Sequence, residues 1–179
     1  LYTARNPFTR KIVLDKGLTH GVLAGMPVID GAGVVGQVTN VAPFTSEVTL
    51  VTEKDQSVPV MLLRNGLRAI AVGSGKDGSI DVPFMPVSAD IQNGDLFVTS
   101  GIDGTYPAGL VVARVTAVEK NAAYMFAKIT ARPAAGVDNH RFVRIITAPR
   151  PALPAPPEAR ADDKRPARDR GAAKGRRAP

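Results

Sequence analysis

The chain has no cysteine and no tryptophan, and only 5% of its 179 residues are aromatic. Without cysteine there is no disulfide, no thiolate nucleophile and no zinc site built on sulfur. With so few aromatics, the core must be filled mostly by Val, Ile, Leu and Ala, which suits narrow sheets. Long helices are not expected, because 17 Gly and 15 Pro leave few windows uninterrupted. No apolar run approaches the ~20 residues that a membrane helix needs, and no signal peptide is visible. The chain begins at Leu1 rather than at a methionine. The expectation is a fragment or processed form, which a targeting segment could precede.

What is present is length, charge and a turn grammar. A chain of 179 residues fits one domain or two small ones and can bury a core without staples. The formal charge of +7 is uneven: residues 149–179 hold nine Lys/Arg against four Asp/Glu, and the body is nearly neutral. From Pro149 onward the chain is Pro, Ala and charge, with Leu153 as its one large apolar residue. Such a segment cannot bury enough surface to offset ordering entropy, so a disordered basic tail is expected over 149–179.

The body is organised around 11–41. There Gly17, Gly21 and Gly25 lead into Met26-Pro27-Val28, and the same grammar returns as Gly101, Gly104 and Gly109 before Leu110-Val111-Val112. A β-rich unit used twice is the natural reading. Short β-branched runs at 11–14, 26–30, 34–41, 47–52, 58–63, 69–72, 79–84, 96–99, 110–118, 125–131 and 142–147 predict strands. Over 79–84, alternation puts Ile80, Val82 and Phe84 on one face. A short helix over 119–126 is the main local competitor. Asp30-Gly31, Asn65-Gly66, Asp77-Gly78, Asn93-Gly94 and Asp103-Gly104 supply turns between the strands. This is the pattern of an all-β barrel or sandwich. Residues 1–10 have no period and read as a connector.

Chemistry is sparse. The two histidines, His20 and His140, sit in loops with no cysteine partner, which argues against a metal site. A serine hydrolase on a double barrel would need Ser100 as nucleophile and His140 as base, with Asp95 or Asp103 to orient it. Ser100 lacks a glycine-rich turn on its N-terminal side, so this stands as the alternative reading. The carboxylates are scattered singly beside turns, and Gly73-Ser74-Gly75-Lys76 has no following helix to make a phosphate loop. The tail's arginines are interrupted by Asp162, Asp163 and Asp169, with no aromatic for base stacking, so no nucleic-acid partner is expected. Tyr106, Tyr124 and Phe126 could mark a partner surface.

Five stretches carry a family resemblance: VLDKGLTHGVLAGMPVID, GVVGQVTNV, VPVML, ADIQNGDLFVTSGIDGTYPAGLVVARV and PAAGVDNHRFVRII. Together they resemble MreC, the bacterial rod shape-determining family, from about Asn6 to Ile146. The most specific part is Asp90–Val115, with Gly94, Asp95, Thr99, Ser100, Gly101, Gly104, Pro107 and Gly109. The resemblance implies two small barrels over 11–148 on the periplasmic face of the inner membrane. An N-terminal membrane helix and a coiled coil, absent from this chain, would precede them. It implies no catalysis and no cofactor. The implied role is a scaffold that self-associates, as dimer or filament, and binds and activates a class B penicillin-binding transpeptidase. MreD, RodA and, indirectly, MreB are the other implied partners. No catalytic residue is carried over. Gly17, Gly21, Gly25, Gly36, Gly94, Asp95, Gly101, Gly104 and Gly109 are expected as structural turns. Tyr106 is expected to be exposed on its turn as a partner contact.

Overall fold

The computed structural model describes residues 2–3, 10–54, 56–75, 77–121, 123–136 and 142–147. The expected tail over 149–179 lies outside the described residues.

The strands form two antiparallel sheets. The first contains β1 (Tyr2–Thr3), β2 (Lys11–Leu14), β3 (Pro27–Ile29), β4 (Val34–Val41), β5 (Ser46–Leu50) and β13 (Arg144–Ile145), in the order β1-β2-β5-β4-β3-β13. The second contains β6 (Ser57–Leu62), β7 (Arg68–Gly73), β8 (Ile80–Asp81), β9 (Met85–Pro86), β10 (Leu96–Thr99), β11 (Val111–Glu119) and β12 (Phe126–Pro133). Its order is β11-β10-β6-β7-β8-β12-β9, and β11 also pairs with β12. That last pairing closes a six-stranded ring, β11-β10-β6-β7-β8-β12, which removes most of the sheet's edges. The first sheet stays open as a half-barrel. The architecture is the all-β pair of small barrels expected from the sequence, and the only helical element among the described residues is a 3-10 turn at Leu18–His20.

Alternation explains most strands. In β2, Ile12 and Leu14 point inward and Lys11 and Val13 do not. In β6, Val58, Val60 and Leu62 are buried. β4 breaks the alternation, with Val34 and Val35 both fully buried. Val34 packs in the core of the second sheet, while Val35 and Val38 pack in that of the first. β4 lies where the two units meet, so both its faces are covered. Gly33 allows the approach there: a Cβ on it would lie 2.4 Å from the Val111 carbonyl oxygen. The Asp30 carboxylate ties the junction by accepting from Ala32 N, Gly33 N and, across 106 residues, Gly136 N at 2.9 Å. β13 returns from the second unit to pair with β3, so a late strand completes the first sheet.

Four local expectations change. Of 79–84 only Ile80–Asp81 is strand, because Pro83 has no N–H to give a ladder and Phe84 takes φ 62. The Phe84 ring turns outward and is 74% exposed. Met125 lies outside β12 and is exposed. The last strand shortens to Arg144–Ile145, leaving Phe142 exposed. Among the described residues of 119–126 no helix forms: β11 runs to Glu119 opposite Lys128, and Tyr124 N donates to Asn121 O within the connecting turn. The two glycine runs give matching left-handed residues, Gly21 with Gly104 and Gly25 with Gly109. The two sheets nevertheless differ in strand order and closure, so the repeat is one of turns and not of topology.

Candidate interaction surfaces

The residues weighed for catalysis are occupied elsewhere or undescribed. The Ser100 hydroxyl donates to the Pro59 carbonyl at 3.2 Å, beside the Ser100 N–H bond to the same oxygen. His140 lies outside the described residues. Asp103 Oδ1 accepts from the N–H groups of Thr105 and Tyr106, which shapes its own turn. His20 Nδ1 accepts from Gly17 N at 3.3 Å. Among the described residues no three His, Cys, Asp or Glu side chains cluster to hold a metal.

Two site expectations are corrected. Tyr106 is not a surface residue: it is 3% exposed and packs in the second core. The Asp103 turn folds it inward, and its hydroxyl has no well-formed hydrogen bond among the described residues, although the Gln56 amide interacts with it. Burial raises the phenol's pKa, and the Asp103 charge adds to the shift. Gly36 is not at a turn. It sits within β4 opposite Val28 and Leu50, where a Cβ would lie 2.1 Å from the Thr49 carbonyl oxygen. Gly17 likewise serves close approach, with φ −138 and the Ala42 carbonyl oxygen 2.2 Å from a built Cβ. Gly21, Gly25, Gly94, Gly101, Gly104 and Gly109 all have positive φ.

Asp95 belongs to an ion cluster. Arg64 reaches Asp90 Oδ2 at 2.6 Å and Asp95 at 3.0 Å through two nitrogens, and Asn65 Nδ2 donates to the Asp90 carbonyl. This ties the β6–β7 turn to the 89–95 loop. The Arg64 side-chain hydrogen bonds hold both carboxyls below their ordinary 3.8, and the same bonds raise the guanidinium. Lowered carboxylate pKa values contribute stability that is present above the unfolded value and lost as pH falls through the folded one. Arg64→Gln is therefore expected to lower Tm at pH 7, with the gap to wild type shrinking as the buffer is taken below pH ~3.8. Thermal melts at pH 7 and pH 3 check this, and an equal gap at both would contradict it.

Two apolar surfaces remain. On the second barrel, Phe84 meets Phe126 edge to face, with centroids 5.9 Å apart. Ile70, Tyr124, Met125 and Phe126 are 52%, 68%, 80% and 49% exposed. Tyr124 and Phe126 were legible as partner-surface candidates. Phe84 was missed because alternation grouped it with Ile80 and Val82, and the signal that marked it was the preceding Pro83. On the first sheet, a groove of about 490 Å³ opens between β2 and β13, lined by Leu14, Val22, Met26, Phe142, Val143 and Ile145 among others.

Comparison with known proteins gives the family. The family model for the barrel core of rod shape-determining protein MreC matches residues 1–147. The chain belongs to the MreC family. The cell shape-determining protein MreC of Escherichia coli K12 is 39% identical over 144 residues, covering 80% of this chain and 39% of that protein. The crystal structure of MreC from Pseudomonas aeruginosa is 42% identical, with TM-score 0.79, over 82% of this chain and 94% of that one. A complex between a penicillin-binding protein (PBP2) and MreC from Helicobacter pylori matches at 23% identity and TM-score 0.55, over 66% of this chain and 74% of that one. At that identity the likeness is one of fold. The chain spans about two fifths of the length of the E. coli MreC.

Proposed function

We propose that this chain is the partner-binding β region of a non-enzymatic scaffold for cell elongation, held at the periplasmic face of the inner membrane. Its main partner is a class B penicillin-binding transpeptidase, which it recruits and activates. Self-association and contacts with MreD, RodA and, indirectly, MreB complete the assembly. Membership of the MreC family supports the role, and the Helicobacter MreC solved with a penicillin-binding protein supports the partner class. The observation that carries the reading is the surface of the second barrel: Ile70 on β7 and Phe126 on β12 stand exposed, with Phe84, Tyr124 and Met125 exposed in the turns beside them. Aromatic residues and methionine are enriched where proteins bind proteins. Ile70 and Phe126, held on paired strands, lose little entropy on binding.

The test is capture of the detergent-solubilised transpeptidase of the same cell by residues 1–148 and by 1–179. Sedimentation velocity is run on each alone. Both are expected to capture it and to associate with themselves. Capture by 1–179 alone would move recognition to the tail. Failure of both, with each sedimenting as an inert monomer, would refute this reading.

A further inference from the structure

The wall of the second barrel is not hydrogen-bonded all the way along. Strand β7 pairs with β6 over Ser57↔Val72 to Met61↔Arg68, but with β8 only at Val72↔Asp81 and Gly73↔Ile80. Antiparallel pairing points the backbone groups of alternate residues to opposite neighbours. Leu67 and Gly73 bond to β6, at Leu62 and Gln56, so those of Arg68, Ile70 and Val72 face the other way. Val72 meets β8. The next position along would be Pro83, which has no N–H, and there the chain leaves the ladder through Phe84. Beyond it, β9 pairs with β12 at Phe126↔Pro86 and Ala127↔Met85 and has no register with β7. Among the described residues no backbone group pairs with Arg68 or Ile70 on this side. A short seam therefore runs beside the first half of β7.

The side chains around the seam form an ordered set. Val72, Asp81 and Thr130 share one row across β7, β8 and β12. Two residues further on, the flanks are Ile70 and Lys128, and after two more they are Arg68 and Phe126. All four are exposed, and Phe84 packs on Phe126. Phe84 is one of two non-glycine described residues with positive φ, a conformation that costs energy and places its ring over this face. Arg68 has no ion pair among the described residues, and Lys128 has only a loose, exposed one to Glu119 at 3.8 Å. The seam thus offers an unpaired backbone edge, an aromatic shelf and two available cations.

We propose that an extended segment of a partner protein adds to β7 along this seam, with acidic and apolar side chains in turn along its outward face and small apolar side chains at the inward positions between them. Its backbone completes the ladder at Arg68 and Ile70. Its apolar side chains rest on Phe84 and Phe126, and its carboxylates meet Arg68 and Lys128. A lipid surface fits less well, because unpaired N–H and C=O groups are costly in hydrocarbon, whereas an added strand satisfies them. The proposal deepens the scaffold reading and rests on it for the existence of a protein partner.

The probe is the synthetic peptide acetyl-EAFAEAF-amide, whose Glu and Phe share one face, with acetyl-KAFAKAF-amide as control, titrated into isotope-labelled 1–179. The acidic peptide is expected to shift the Arg68 and Ile70 amides and to slow their hydrogen exchange. Arg68→Glu, an exposed change that leaves the core intact, is expected to weaken the acidic peptide by about tenfold or more and to strengthen the basic one. Equal binding of both peptides, or shifts confined to the β2–β13 groove, would overturn the proposal. So would anionic phosphatidylglycerol vesicles perturbing Phe84 and Phe126 while neither peptide binds. Transpeptidase capture is run in parallel with wild type and Arg68→Glu. Peptide binding without capture by wild type sinks the scaffold reading alone. Capture without peptide binding sinks the seam alone.

Discussion

Tyr106→Ala is expected to destabilise the second barrel by about 3–5 kcal/mol, the range for removing a buried aromatic side chain. The ring is 3% exposed and packs in the core that Phe97, Leu62 and Ile129 fill, so its loss leaves a cavity that a closed ring of strands cannot collapse around. Tyr106→Phe should behave in the opposite sense. It keeps the ring and deletes a hydroxyl that lacks a well-formed hydrogen bond among the described residues, so Tm should hold or rise. The two variants also separate in alkali. Burial raises the phenol's folded pKa, so its contribution to stability is complete below the unfolded value of about 10 and is lost as pH rises beyond it. Wild type should lose more stability than Tyr106→Phe between neutral pH and pH ~11. Urea unfolding of the three proteins at both pH values measures this. A harmless Tyr106→Ala would mean that the ring is not core, and the loop from Ser100 to Leu110 would need a different conformation.

Tyr106 also marks the boundary of what could be read from the chain. Segments with a clear local apolar pattern were legible: 11–14, 34–41 and 96–99 form strands at those limits. Their apolar residues fall at a period of two, or run together where both faces are covered. Features set by distant chain were not. The pairing of β12 with β8, and the return of β13 to β3, join remote segments and leave no local period. Tyr106 reads as exposed from its turn-rich surroundings, yet the turn's own bonds, Asp103 to Tyr106 N and Thr99 Oγ1 to Leu110 N, fold it inward. Phe84 erred the other way. Alternation placed it with Ile80 and Val82, and one imino acid before it ended the ladder. The candidate surface was therefore half visible, through Tyr124 and Phe126, and half hidden, through Ile70 and Phe84.

The glycines carry the same lesson, and they supply the second large effect. Gly36→Ala is expected to unfold or nearly unfold the first sheet, whereas Gly21→Ala should cost only about 1–2 kcal/mol. Both were expected as structural turns, but their physics differs. At Gly21 the backbone is left-handed, φ 77, and a new Cβ meets nothing within 4 Å, so the cost is conformational strain alone. At Gly36 no left-handed φ is involved, but the new Cβ would lie 2.1 Å from the Thr49 carbonyl oxygen and 2.9 Å from its carbon. Those atoms are backbone of β5, and β5 is pinned on its far side by four residue pairs with β2. It cannot recede without breaking that ladder, and β4 cannot recede without pulling Val34 from the second core. Overpacking against a yielding side chain costs about 1–3 kcal/mol, and rigid backbone on both sides should exceed that. Domains of this kind have only about 5–15 kcal/mol in hand. Circular dichroism melts of both variants decide the matter. If Gly36→Ala melts with Gly21→Ala, the close approach of β4 and β5 is not what holds the half-barrel together. If it melts far below, the open sheet owes its shape to one missing side chain in the middle of a strand.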